Sequence, residues 1–515
     1  MTSTVTPPRD VPTFRAEPIS HRAPGERIRG TAFLALLPAL VVALLGVQGA
    51  DDREMWADEY ATYHAATLSW GDLGRLLSHM DLVHGFYYLV MHGWFAVTDD
   101  SLLMMRVPSL AAMAITAAVT TLIGRRLAGT AAGVLAGLML AVIPSVSRYG
   151  QEVRSYALVT MLVALSTYFL LRALDRPAWT RWTLYAMPLA LAGLLHVFAF
   201  SVLGAHLLFV LIAARASDEA RRWRFAGAAA VACLVVIPIP GVASKQSGAV
   251  AWLAADTEAP VAFPGRLFLS DHVAYAMIPL ALLGALLLWR RNRPGTVLLL
   301  AWSLGPNLFV YVTSPVLHLL VARYLLFTLP AFAVLAATAT VFLFGPLGAK
   351  PAGARWMLSA ALVLPALGYL AIGGQKDVRT SPVPGRPGYR EALTWIRSQA
   401  KPGDGIVYHD RLAGREDLAR AAAEYELRGG GPKDVLLSRT AAEAGTFGAV
   451  ECTDPAPCLS GNNRLWLLST GVGEQPWAGM KPAAAAILGE NFSADEVKRF
   501  PQIRVVLLTR KPPGS

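Results

Sequence analysis

A chain of 515 residues with 54% hydrophobic and only 16% charged side chains is too apolar for an ordinary soluble enzyme. The net charge of +11 does not point to nucleic acid, because the arginines fall in short runs between apolar stretches and form no broad basic face interleaved with aromatics. These features leave a polytopic membrane protein, its arginines acting as topology determinants.

In chain order, residues 1–30 read as a Pro- and Arg-rich leader, cytoplasmic and disordered, with no cleavable signal; the apolar run from Thr31 to Val47 then acts as a signal anchor. Stretches able to cross about 30 Å of hydrocarbon are expected near 31–49, 107–123, 127–147, 155–174, 182–197, 198–214, 225–243, 273–289, 296–314, 320–344 and 356–373, about eleven in all. Segment 83–98 is short, aromatic and carries two histidines. If it does not span, the clusters Arg125-Arg126, Arg172 to Arg181, Arg215 to Arg224, Arg290 to Arg293 and Lys350 to Arg355 all face the cytoplasm. It is therefore placed flat on the outer surface. The outward segments become 50–106, 148–154, 244–272, 315–319 and the tail 374–515, following a membrane domain at 31–373. The tail reads as a soluble α/β domain: strands at Ile406 to His409, Val435 to Leu437, Leu465 to Leu468 and Val505 to Leu508 alternate with helices at Tyr389 to Gln399 and Glu416 to Arg428, favouring a largely parallel sheet. Cys452 and Cys458 bracket a short loop and are expected to form a disulfide in an oxidising compartment, whereas Cys233 lies in an apolar run. The mainly α membrane protein thus carries a C-terminal α/β domain.

The chemistry gathers in the outward segments. Asp58 and Glu59 follow the first span in Trp56-Ala57-Asp58-Glu59-Tyr60; a helix N-terminus, where the dipole favours acids, accounts for them equally well. Asp81 precedes His84, Tyr88 and His92, and its plain account is a helix cap. Arg148, Gln151, Glu152 and Arg154 lie where the chain turns back into the membrane; Arg148 and Glu152 suit an i,i+4 pair, which leaves Arg154 to snorkelling or to function. His318, Arg323 and Tyr324 stand at the outer end of another span, and His196 ends a further one. Carboxylates on one side and permanent cations on the other suit a lipid phosphate held by Arg and an acceptor hydroxyl activated by a carboxylate.

The residues that carry these features resemble those of the GT-C superfamily of membrane glycosyltransferases, in its bacterial protein mannosyltransferase and aminoarabinose transferase branch, over roughly residues 31 to 345. The carriers are Asp58-Glu59, the segment from Asp81 to Trp94, Arg106-Val107-Pro108-Ser109, Gly124-Arg125-Arg126-Leu127, Tyr149 to Leu158 and Arg323-Tyr324-Leu325. Related chains often have His-Pro-Pro before a Leu-Tyr-Tyr run, where this one has Val83-His84-Gly85-Phe86-Tyr87-Tyr88; the departure leaves sugar and acceptor open. The resemblance implies a polyprenyl-phosphate sugar donor, an outward-facing site and inversion at the anomeric carbon. Asp58 would be the general base, its pKa raised by partial desolvation and by Glu59. Arg154 and Arg323, helped by Arg148, His318 and Tyr324, would neutralise the leaving phosphate. Asp81, His84, Tyr88, Gln151, Glu152 and His196 would contact substrate. Asp58, Glu59 and Asp81 offer oxygen ligands to a divalent ion (Mg, Mn or Ca), as held by some relatives. Mannose is the first expectation for the sugar and arabinose the next, moved to a glycolipid, polysaccharide or protein of the cell envelope. The Arg-, Ala- and Gly-rich composition fits a high-GC bacterium such as an actinobacterium. The rival class, a lipid or sugar transporter or flippase, should instead show repeated halves and ionisable groups at the midplane.

The charge parity predicts that the 50–106 loop and the tail share the extracytoplasmic side. Reporter fusions within that loop and after Gly374 should both read extracytoplasmic, and a cytoplasmic signal at either overturns the topology.

Overall fold

The computed structural model describes residues 24–213, 219–243, 246, 260–317, 320–344, 352–381, 386–409, 418–470, 477 and 480–512. Helix α1 (Pro24–Val47) starts inside the expected leader, with proline in the first turn where its missing N–H is harmless; residues 1–23 lie outside the described part. The first outward segment folds into α2 (Ala57–Thr67), α3 (Trp70–His79) and α4 (Leu82–Phe95). With 14 residues α4 is about 21 Å long, too short for the hydrocarbon core, and it packs against α2.

There follow α5 (Leu102–Ala128), α6 (Thr130–Val142), α7 (Pro144–Gly150), α8 (Tyr156–Asp175), α9 (Trp179–Leu195), α10 (Val202–Ala213), α11 (Glu219–Val236), α12 (Pro238–Ala243), α13 (Phe263–Phe268), α14 (Asp271–Trp289), α15 (Arg293–Leu317), α16 (Leu329–Phe344) and α17 (Ala352–Arg379). By length and composition, five described helical stretches can cross a membrane, or six if the bent pair of α6 and α7 is one span. That pair was expected as a straight run over 127–147. It turns by 68° because Ile143, ahead of Pro144, takes an extended backbone. Likewise His196 is extended between α9 and a 3-10 turn (Val197–Ser201) that leads into α10. Glycines let α5 and α6 approach closely: a Cβ at Gly133 would lie 2.4 Å from Arg125 N, and one at Gly137 would lie 2.2 Å from Thr121 Oγ1.

The tail folds as α18 (Tyr389–Gln399), β1 (Gly405–His409), α19 (Leu418–Glu426), β2 (Lys433–Asp434), β3 (Leu437–Arg439), α20 (Ala441–Ala444), β4 (Val450–Glu451), α21 (Pro455–Ser460), β5 (Arg464–Thr470), α22 (Pro482–Asn491), β6 (Phe492–Phe500) and β7 (Ile503–Arg510). The main sheet, ordered β2-β1-β5-β7-β6, is mixed and not largely parallel: β1 runs parallel to β2 and β5, while β7 is antiparallel to both β5 and β6. Strand β6 went unforeseen because it is an edge whose Ser493–Arg499 stretch is polar and exposed. Of the strand expected at Val435 to Leu437, only Leu437 lies in a strand, β3, while Val435 and Leu436 bend between β2 and β3; β3 pairs with β4 in a separate ribbon. Of the expected 416–428 helix, 416–417 lie outside the described residues. Cys452 and Cys458 are joined as expected.

Two sets of contacts hold the tail domain on the membrane domain. Helix α17 runs on to Arg379, whose Nη2 donates to Leu45 O at 2.8 Å, pinning it to the end of α1. Above it, Arg390 N donates to Glu54 Oε1 at 2.7 Å, Tyr60 OH donates to Glu426 Oε1 at 3.4 Å, and Tyr63 packs edge-on against Tyr425 at 4.9 Å. Burial, with Glu426 nearby, raises the Glu54 carboxyl from 4.5 to about 7 against the pull of Arg390, and burial raises Glu426 too.

Gly133→Leu should force α5 and α6 apart and destabilise the bundle by about 1–3 kcal/mol or more, read as a lower thermal unfolding midpoint in detergent. The docked tail retains protons on Glu54 that a separated one would release between pH 4.5 and about 7. This contribution is complete below 4.5 and is lost as pH rises to about 7. The tail should therefore resist limited proteolysis better at pH 5 than at pH 8, and Glu54→Gln should flatten that difference.

Candidate functional site

Adjacent residues on a helix point about 100° apart, so the paired acids at the start of α2 separate. Asp58 keeps a 30% exposed side chain, and its Oδ2 lies 4.0 Å from Arg154 Nε. Glu59 is fully buried and does not sit at the mouth beside Asp58, as the sequence suggested. Its Oε1 accepts from Arg106 Nη2 at 3.1 Å and from Val153 N at 2.9 Å, and its Oε2 accepts from Trp56 N at 3.4 Å. Burial opposes the Glu59 charge, but Arg106, Arg148, the Val153 N–H and Arg53 outweigh it and hold the carboxyl below its ordinary range.

Arg154 organises the exposed half. Its Nη2 donates to His84 Nε2 at 2.8 Å and its Nη1 to Thr62 Oγ1 at 3.4 Å. Since a guanidinium only donates, His84 must offer Nδ1–H to Asp81 Oδ1, 2.7 Å away. Tyr88 OH also donates to Asp81. Burial raises the Asp81 carboxyl, but His84, Arg154 and Tyr88 outweigh burial and keep it low. Asp81 stands at the N-cap position of α4 in a left-handed backbone (φ 59°), but its side chain makes no capping hydrogen bond.

On the far side Arg323, in a 3-10 turn (Ala322–Thr328) leading into α16, donates from Nε to Tyr156 OH at 3.2 Å. Its guanidinium lies 5.5 Å from the centres of both the Trp56 and Tyr324 rings. The Arg386 guanidinium lies 4.8 Å from the Trp56 ring. The His196 ring lies tilted against Tyr324 at 4.6 Å and Tyr156 at 6.1 Å. His318 lies outside the described residues.

Two candidates point elsewhere. Gln151 spends its amide on Gly46 O and Gln48 O, both at 2.7 Å, so it anchors the end of α1 rather than meeting substrate. Glu152 is buried against Arg148 at 2.9 Å, the i,i+4 pair the spacing allowed. The proposed oxygen ligands do not converge: Glu59 is committed to Arg106, Asp81 to His84 and Tyr88, and no metal-binding trio of His, Cys, Asp or Glu exists among the described residues. These three acids do not fit a metal, and no step below is routed through one.

Sequence reasoning passed over Arg106 as the partner of Glu59, although an arginine opening an apolar span needs a counter-charge. Arg53, Arg386 and the Glu54 to Glu426 junction carried no local signal.

The profile of the dolichyl-phosphate-mannose-protein mannosyltransferase family matches residues 86–240. No curated protein matches the sequence. Among solved structures, ArnT from Cupriavidus metallidurans in the apo state is similar at a TM-score of 0.57 and 15% identity, covering 93% of this chain and 98% of that one. The same protein bound to undecaprenyl phosphate gives 0.50 and 14%, with 94% and 98% covered. The Archaeoglobus fulgidus oligosaccharyltransferase in complex with Zn and sulfate is a more distant likeness, at 0.47 and 11% over 84% of this chain and 68% of that one. By its fold the chain is thus similar to ArnT, and within that fold residues 86–240 match the mannosyltransferase profile.

Proposed function

We propose that this protein is an inverting transferase that moves a sugar from a polyprenyl-phosphate donor to an envelope acceptor, at the extracytoplasmic face of about eleven spans. The observation that carries the reading is the half-exposed Asp58, 4.0 Å from Arg154, together with Arg323 held between the rings of Trp56 and Tyr324. Undecaprenyl phosphate in the related ArnT supports a lipid phosphate as the donor's anchor.

In this mechanism Asp58 takes the acceptor's hydroxyl proton as that oxygen attacks the anomeric carbon from the face opposite the phosphate. The bond from the anomeric carbon to the phosphate oxygen breaks, and its electron pair leaves with polyprenyl phosphate. Arg323 neutralises the growing charge, and Arg154 positions Asp58 from the other side. Tyr156, Tyr324 and His196 supply the aromatic wall for the sugar and first prenyl units. The acceptor enters through a cavity of about 670 Å³ between α2 and the tail domain, lined by Ala57, Ala61, His64, Tyr408, Glu424 and Phe447. Ala57 and Ala61 place this cavity beside the same helix α2 that carries Asp58. Mannose remains the first choice of sugar and arabinose the second.

Asp58→Asn should abolish transfer from a labelled polyprenyl-phosphate sugar while leaving donor binding intact, since losing a base costs at least about 10² to 10⁴ in rate. Arg323→Ala should weaken binding and turnover together. Arg290→Ala, exposed at the far end of α14, should change neither. Near-normal transfer by Asp58→Asn would refute the assignment of the base.

A further inference from the structure

A second cavity, of about 480 Å³, opens between α7, α13 and the C-terminal end of α17. Its inner wall is made by Arg53 and Arg148, only 4% and 7% exposed. Around them the buried charges do not balance. Arg53, Arg106 and Arg148 face Glu59 and Glu152; Arg106 is committed to Glu59 and Arg148 to Glu152. Arg53 is the surplus cation. Its Nε and Nη1 are buried with no hydrogen-bond partner among the described residues. A guanidinium this deep is costly even with Glu59 and Glu152 offsetting part of its charge, and burial with neighbouring Arg148 depresses its pKa to about 9. A bound anion would remove that cost.

The cavity continues into a neighbouring one of about 520 Å³, with which it shares Leu269, Ser270, Asp271, Gly374 and Asp377. That second chamber runs along α17 past Gly373 to Ile372 and Tyr369, which are 45% and 76% exposed. The combined groove is cationic at its buried end and apolar at its open end. Asp271 and Asp377 stand between the two, placed to accept from a hydroxyl or ammonium on the ligand's head.

We propose that this groove holds a phosphate-headed lipid, distinct from the sugar donor, with its phosphate on Arg53 and Arg148 and its chain along α17. Charge complementarity selects the head, and the apolar extension selects a lipid over a free ion. The site lies apart from Arg323 and its aromatic clamp, so it does not depend on the transferase reading.

The test uses the purified full-length protein in detergent, with native mass spectrometry and titration of three probes: phosphatidylglycerol, diacylglycerol with the same chains, and inorganic phosphate. Phosphatidylglycerol should bind and diacylglycerol should not. Arg53→Gln should weaken phosphatidylglycerol binding roughly 10- to 100-fold, the worth of a hydrogen bond to a charged group, whereas Arg53→Lys should retain most of it. Gly373→Trp should block the chain without touching the cations, because a Cβ at Gly373 meets open space; it should weaken the lipid and spare inorganic phosphate. The proposal is overturned if Arg53→Gln binds the lipid as wild type does, or if inorganic phosphate binds as tightly as phosphatidylglycerol with Gly373→Trp affecting neither. It is also overturned if Arg323→Ala, and not Arg53→Gln, releases the lipid, which would place that lipid in the donor site.

Discussion

One buried ion pair sets the geometry of the outer layer. Glu59 and Arg106 are both fully buried, and every polar atom of the pair is spent on structure: Arg106 Nη1 donates to Ala50 O at 2.7 Å and Arg53 O at 2.9 Å, while Glu59 receives Val153 N and Trp56 N. A single carboxylate thereby ties together the end of α1, the start of α2 and the turn before α8. Such pairs contribute little net stability against apolar substitutes, but breaking one leaves a stranded charge worth about 3–5 kcal/mol. What the pair secures is register. Asp58 rides on the helix that Glu59 fixes, and Arg154 sits next to the Val153 that Glu59 holds, so Asp58 and Arg154 keep their separation.

The tail domain is joined to this layer at the first loop, the same place that bears Asp58. Glu54 and Tyr60, on either side of the catalytic candidate, both bond to the tail, and His64 Nδ1 lies 2.8 Å from Glu424 one turn further on. The tail domain, which lines the cavity of about 670 Å³ beside α2, is therefore anchored by the segment that carries Asp58.

Much of this was legible in the sequence. Most of the expected apolar runs are helical, because hydropathy is a local property, but five described stretches, or six with the bent α6 and α7 pair, are long and apolar enough to cross a membrane. The acids and arginines flagged at the outer turns do gather: Asp58, Arg154, His84 and Asp81 form one connected group, with Arg323 and Tyr324 opposite. What escaped were pairings across long separations. Nothing near Glu59 announces Arg106, and nothing near Glu54 announces Arg390, 336 positions away. The adjacent acids read as one motif, yet helix geometry sends them to different environments. Polar β6 offered no alternation of apolar residues, so the sheet's antiparallel half went unseen.

The bridge between Cys452 and Cys458 closes a loop of the tail with only six positions between its ends. A pair so near in sequence finds itself without waiting for the rest of the domain to fold. Because thiols persist in reducing cytosol and couple in oxidising spaces, the bond is written at whichever side the nascent tail emerges. The state of this pair thus reports the side of the membrane on which the tail after α17 emerges, legible by alkylation without any fused reporter.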